Sequence, residues 1–363
     1  MNPLAKTILL LALWVPASLP AAGLSDWQAQ KEPRLRIAAS PYENYLLHIL
    51  PTPMDFGQHL YRVRIDTLGM GPSDEVSRGH LYTLRGGFLD LAHIRRSIDF
   101  TAYVHHRLVE ALESGESHIA FESIDRTTYQ IDIVYPSFWS SLGEGEKARL
   151  IGEIALRGGA EASFDFSNWR EILTWHGFHN VPGMPEKGSA FSYEDVVSHA
   201  VGETVALRAI RSPKPFNDAV TEELDRELAS LGVVSEADYQ RAMDQVAGKW
   251  WGKKTCLKRH LDIGLDDGFI EPWLVRDLFP GKQPRPRVYP GPDRDWRRVG
   301  GRDCRGMLQL SCEPHLRRRE ILELVLPPGQ TKVIPSRDYP VLLEEVEKEV
   351  KAEFGPHATV PYP

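Results

Sequence analysis

Residues 85–99 constrain this chain more than any other stretch. Arg85, Gly86 and Gly87 lead into Asp90, His93, Arg95, Arg96 and Asp99, with Phe88, Leu89, Leu91, Ile94 and Ile98 filling the gaps. The glycine pair fits a tight turn, and residues from Asp90 onward fit a helix. Apolar residues so dense leave that helix no wholly solvated face. Some of its polar groups must therefore be buried, and buried polar groups need partners.

Projection at about 100° per residue divides the helix into two polar edges. Asp90, His93 and Ser97 fall on one side. Arg95, Asp99 and His106 fall on the other. Leu91, Ile94, Ile98 and Ala102 fill one flank, with Phe100 and Val104 on the other. This pattern predicts a helix crossing the interior. Asp90 and His93 then form a carboxylate–imidazole pair, suited to holding a metal or to orienting the imidazole as a general base. Each also has a structural reading: Asp90 as helix cap and His93 as a bonded core histidine. Arg95 and Asp99 have the spacing of an ion pair.

Two further polar clusters follow. Asn168, Trp169, Arg170, Glu171, Trp175 and His176 precede Gly177. Glu171 can act as acid, base or ligand, and it can equally complete a box capped by Asn168. Asp195, Ser198, His199, Gly202 and Ala206 share one helical face. Small residues there suit close packing by another helix or the lining of a pocket. Neither cluster contains a His-Glu-x-x-His run, a nucleophile elbow or a phosphate-binding loop.

The N-terminus has the layout of a secretory leader. Lys6 precedes an apolar run from Ile8 to Val15, and Pro16, Pro20, Ala21 and Ala22 follow. The expected location is therefore periplasmic or extracellular. The apolar run is short of the roughly 20 residues a spanning helix needs. With 363 residues and a net charge of −7, the chain can form a large core and shows no nucleic-acid-binding pattern. Arg317, Arg318 and Arg319 read as a solvated patch. Cys304 and Cys312 can close a short loop in an oxidising compartment, leaving Cys256 odd.

The organisation expected is a leader over residues 1–22, a lead-in over 23–54 and a main helix-rich domain over 55–265. Residues 266–363 form a loop-rich segment, a β pair and a C-terminal helix packed on that domain. Strands are expected at residues 36–39, 61–68, 80–84 and 129–135, and a further pair at 321–326 and 331–335. A helix from Glu144 is interrupted or kinked at Gly158 and Gly159, and another helical stretch begins near residue 167. Ser192 caps the next, and Ser235 caps a later one. The fold class is α+β, predominantly helical, with short flanking β segments.

Taken together, residues 85–99, the Trp169–Arg170–Glu171–Ile172 run and the Ser189–Ala190–Phe191–Ser192 run resemble a bacterial family of uncharacterised exported proteins, domain of unknown function 4056. The resemblance spans roughly residues 55–265 and implies no activity. In its pattern a histidine commonly precedes the glutamate, where this chain has Arg170, and asparagine stands where this chain has His199. The first departure removes one expected metal ligand.

The candidate site comprises Asp90, His93, Arg95, Asp99 and Glu171, with His176 and His199 as further lining. Whether a metal or other cofactor binds is left open. Two functions fit: a hydrolase of a cell-envelope small molecule or anionic substrate, or a non-catalytic envelope or ligand-binding protein built on the same polar network.

Overall fold

A computed structural model describes residues 80–362, apart from 124, 126, 179–185, 253–254, 280, 282–283, 292–297, 316–321 and 324–325. The leader, the lead-in, the expected strands at 36–39 and 61–68 and the Arg317–Arg319 patch lie outside the described residues.

A β-hairpin opens the described chain. Strand β1 (His80–Thr83) pairs antiparallel with β2 (Gly87–Asp90), with Leu81 opposite Leu89. Gly87 has φ +66°, and a Cβ there would stand 2.2 Å from the Trp273 carbonyl oxygen. Only glycine satisfies both conditions. Helix α1 (Leu91–Ser114) follows without a break. Between Ile94 and Val104 it is buried on nearly every side, with Ile94, Ile98, Ala102 and Val104 fully enclosed. It is the interior helix that its residue pattern predicts.

Strands β3 (His118–Glu122) and β4 (Thr127–Ile133) form the next hairpin. In β3 exposed His118, Ala120 and Glu122 alternate with buried Ile119 and Phe121, as a strand with one solvated face must. Phe121 and Tyr129 meet Phe100 of α1 with ring centroids 6.0 Å apart.

Helix α2 (Glu144–Trp175) is continuous over 32 residues. The interruption expected at Gly158 and Gly159 is absent. A Cβ on Gly159 would stand 3.0 Å from the Thr101 carbonyl oxygen and the His105 nitrogen, and one on Gly158 would meet Leu308 and Leu108 side chains. These glycines permit close packing against α1, and that tertiary gain overrides their low helix propensity. Asn168 consequently lies inside the helix, donating to the Phe164 carbonyl, and does not cap it.

Helix α3 (Asp195–Arg211) packs across α1. A Cβ on Gly202 would fall 2.5 Å from both the Ile94 carbonyl oxygen and Ser97 Cβ. The small-residue face is therefore a close helix contact. Helices α4 (Phe216–Leu231) and α5 (Glu236–Val246) follow, α4 packing on α3 and α5 on β1. Gly232 ends α4 at φ +74°, and Ser235 caps α5 by accepting from the Asp238 N–H at 3.2 Å.

The remaining chain is loop-rich. Strands β5 (Phe269–Ile270) and β6 (Tyr289–Pro290) pair, as do β7 (Arg298–Val299) and β8 (Arg302–Asp303). Strand β9 (Leu308–Pro314) joins β4 antiparallel, with Cys312 opposite Tyr129, and completes a three-stranded sheet. Of the strand pair expected at 321–326 and 331–335, residues 321 and 324–325 lie outside the described residues. Val333 makes an isolated bridge to Cys312. Helix α6 (Pro335–Phe354) closes the chain against α2. The fold is helix-dominated α+β. Cys256, Cys304 and Cys312 are buried free thiols, so the short loop between Cys304 and Cys312 is not closed. Among the described residues no helix is long and apolar enough to cross a membrane.

Candidate metal centre

Three elements deliver the polar groups. Asp90 ends β2 and His93 lies in the first turn of α1. Glu171 comes from the last turns of α2. Asp195 opens α3 and His199 follows one turn later. The Gly202 contact presses α3 onto α1 and brings the His93 and His199 rings to 5.3 Å between centroids. Ser198 Oγ accepts from the Asp90 N–H at 2.9 Å, which ties the strand end to α3.

His93 is bonded on one side and open on the other. Its Nδ1 stands 2.7 Å from Asp90 Oδ2. Its Nε2 faces Asp195 Oδ1 at 3.6 Å and Glu171 Oε1 at 3.9 Å. His80 Nε2 adds a contact to Asp90 Oδ2 at 3.6 Å. Asp90 thus orients an imidazole.

The carboxylates are held from behind by backbone. Glu171 Oε2 accepts from the Phe191 N–H at 3.1 Å. Phe191 has φ +53°, a left-handed conformation that a bulky residue rarely adopts. The strain is concentrated where that N–H meets Glu171. Asp195 Oδ2 accepts from the Ser192 N–H at 2.7 Å. This is half of the capping box expected at Ser192. The helix itself begins three residues later, at Asp195.

His199 is the exceptional member. It is fully buried, and neither ring nitrogen has a hydrogen-bond partner. Burial, then the field of His93, lowers its pKa well below the ordinary value, so the ring is neutral. One ligand atom each from His93, Glu171 and His199 lie within 4.8 Å of one another. Burial works against a charge on His93, but Asp195, Asp90 and Glu171 outweigh it and hold its pKa up at about 9. Burial, reinforced by Glu171, raises the Asp195 carboxyl well above the carboxylate range. Glu194 is raised likewise, chiefly by burial. Asp90, Glu171, Glu194 and Asp195 are all buried, and together around two histidines they form a cluster with a strong demand for positive charge.

Of the residues singled out from sequence, Asp90, His93, Glu171 and His199 come together. Arg95 and Asp99 are buried, on the helix edge turned away from His93. They are not members of this cluster. His176 caps the C-terminus of α2, its N–H bonded to the Ile172 carbonyl, and its charged neighbours are Glu349, Lys187 and Glu345. It too stands apart. Asp195, Glu194 and Arg96 were not among the candidate site residues, although Asp195 lies on the small-residue face and Arg96 in the opening segment. The i,i+3 spacing of His93 and Arg96 was the available signal for the last.

The model of a family described as protein of unknown function (DUF4056) matches residues 37–263, more than half the chain. The chain belongs to that family. No curated protein and no solved structure matches it.

Proposed function

We propose that this chain is a divalent-metal-dependent hydrolase with His93, Glu171 and His199 as metal ligands. The observation that carries this reading is the His199 ring. A neutral, buried imidazole with both nitrogens unbonded is costly to leave unsatisfied, and a metal bond would satisfy it. Two imidazoles and a carboxylate form a ligand set that suits zinc and leaves a fourth position for water. Ligand atoms on tetrahedral zinc stand roughly 3.4 Å apart, so the present spacing needs only a modest contraction.

Each neighbour then has a role. Asp90 holds His93 through Nδ1 and leaves Nε2 as the donor to the metal. An ion held by His93, Glu171 and His199 would polarise water and the scissile group. Asp195, beside His93 Nε2, holds its proton in the metal-free cluster; ionised beside a bound cation it would take a proton from the attacking water and return it to the leaving group, so that water adds across the broken bond. The leader-like N-terminus supports action on a substrate outside the cytoplasm, in the cell envelope.

Near-complete burial favours one second reading, a closed structural metal site. Of the cluster, only His93 retains noticeable side-chain exposure, 15%. A panel of ester, phosphoester and peptide substrates separates the two. Zinc-dependent turnover that is abolished by chelation and by Asp195→Asn supports the hydrolase. Stoichiometric zinc with no turnover, and a chelated protein that unfolds, supports the structural site.

A further inference from the structure

Helix α1 offers one way in. From residue 91 to residue 104, His93 and Arg96 are the two described side chains that keep some exposure. They are one turn apart on the same face, so the opening over the cluster is bordered by an imidazole and a guanidinium. Among the described residues, no hydrogen bond or ion pair holds the Arg96 guanidinium.

A second guanidinium is near enough to act on its charge. Arg170 adjoins Glu171 in α2 and is buried. Its Nη2 is 3.8 Å from Glu186 and its Cζ sits 5.8 Å from the Phe178 ring, while its Nη1 has no hydrogen-bond partner. Burial, then the charge of Arg170, lowers the Arg96 pKa to about 10, and both guanidinia act on His199. Two carboxylates near them, Asp125 and Glu171, accept instead from the Tyr129 O–H and Thr127 N–H and from the Phe191 N–H, and among the described residues no ion pair joins either carboxylate to Arg96 or Arg170. Guanidinium donors left without a bonded anion so close to one another cost free energy.

We propose that Arg96 and Arg170 together hold an oxyanion, so that the molecule bound here carries a phosphate or carboxylate group next to the bond that is cleaved. Forked guanidinium donors match both groups. This inference rests on the metal-centre reading for its chemistry, but not for the anion contact itself. Arg170, the residue that departs from the family pattern, thereby acquires a function of its own.

The test uses the full chain, as purified and after chelator treatment, titrated separately with inorganic phosphate and with acetate and followed by calorimetry; the sample as purified decides if the chelated one unfolds. Wild type is expected to bind at least one of them, and Arg96→Gln to weaken that binding by about tenfold or more. Preference for phosphate points to phosphoesters, and preference for acetate to carboxylate-bearing substrates. Arg170→Gln should act in the same direction. Because Arg170 is buried, the part-exposed Arg96 variant decides the matter if Arg170→Gln fails to fold. Equal binding by wild type and Arg96→Gln, or no binding of either anion, overturns the proposal. Zinc content is measured on parallel samples. Absence of zinc from wild type would count against the metal centre alone, because the anion titrations are also done without metal.

Discussion

Asp90 Oδ2 lies 2.7 Å from His93 Nδ1 and thereby turns His93 Nε2 toward Glu171 and Asp195. One hydrogen bond, spanning a strand end and the first turn of a helix, fixes the direction in which the imidazole presents Nε2. An imidazole oriented in this way is a better ligand than a freely rotating one.

Asp90→Asn tests that relationship. The backbone N–H bond to Ser198 survives the substitution, so the hairpin-to-helix junction should hold. Zinc affinity is expected to fall by about 10–100-fold, the usual loss when such a supporting carboxylate is removed. Competition against a chromophoric chelator reads it. Unchanged affinity would separate Asp90 from the metal site.

Gly202→Ala addresses the packing that brings the two histidines together. The added methyl meets backbone at 2.5 Å, so relief requires a shift of α3 away from α1. A loss of about 1–3 kcal/mol is expected from overpacking, with weakened zinc binding as its partner. Denaturant unfolding and the same chelator competition measure the two effects. Loss of stability with zinc affinity intact would show that the helix contact does not set the site.

Acid should destabilise the fold through His260. Burial lowers its pKa from 6.5 to about 4, and its ring stacks on Trp273 at 4.9 Å. Between those values the unfolded chain takes up a proton that the folded one refuses. The contribution is intact above about pH 6.5 and declines as pH falls toward 4. Between pH 7 and pH 5 the loss is about 2 kcal/mol. Denaturation midpoints of wild type and His260→Phe at both pH values check this, and the variant should show the shallower dependence.

The cysteines make a separate prediction. All three are buried, and burial pushes the Cys256 thiol up to about 12 and the Cys304 and Cys312 thiols above their ordinary value. Native protein should react slowly with a thiol reagent. Unfolded without reductant, it should release all three thiols. A count of one would mean that Cys304 and Cys312 are joined.

Much of the fold was legible because its periodicities are strong. The interior character of α1 follows from apolar residues on both flanks, and Ser235 announces its helix by the ordinary cap. Gly158 and Gly159 misled because helix propensity is local, whereas the reason for them is α1 passing alongside. The pairing of β9 with β4 sets Pro314 opposite Thr127, a long-range match that no local pattern encodes. In the site, Asp90, His93 and Glu171 stood out through their company. Asp195 looked like a capping residue, and it does accept a backbone N–H. Its other oxygen faces His93 only because Gly202 lets α3 approach.

The central claim is that His93, Glu171 and His199 hold one metal ion, and the direct measurement is zinc content after equilibrium dialysis and removal of loosely bound metal. Wild type is expected to retain about one zinc per chain, and folded His199→Phe essentially none. Wild type that retains no metal, or His199→Phe that retains as much as wild type, would contradict the account.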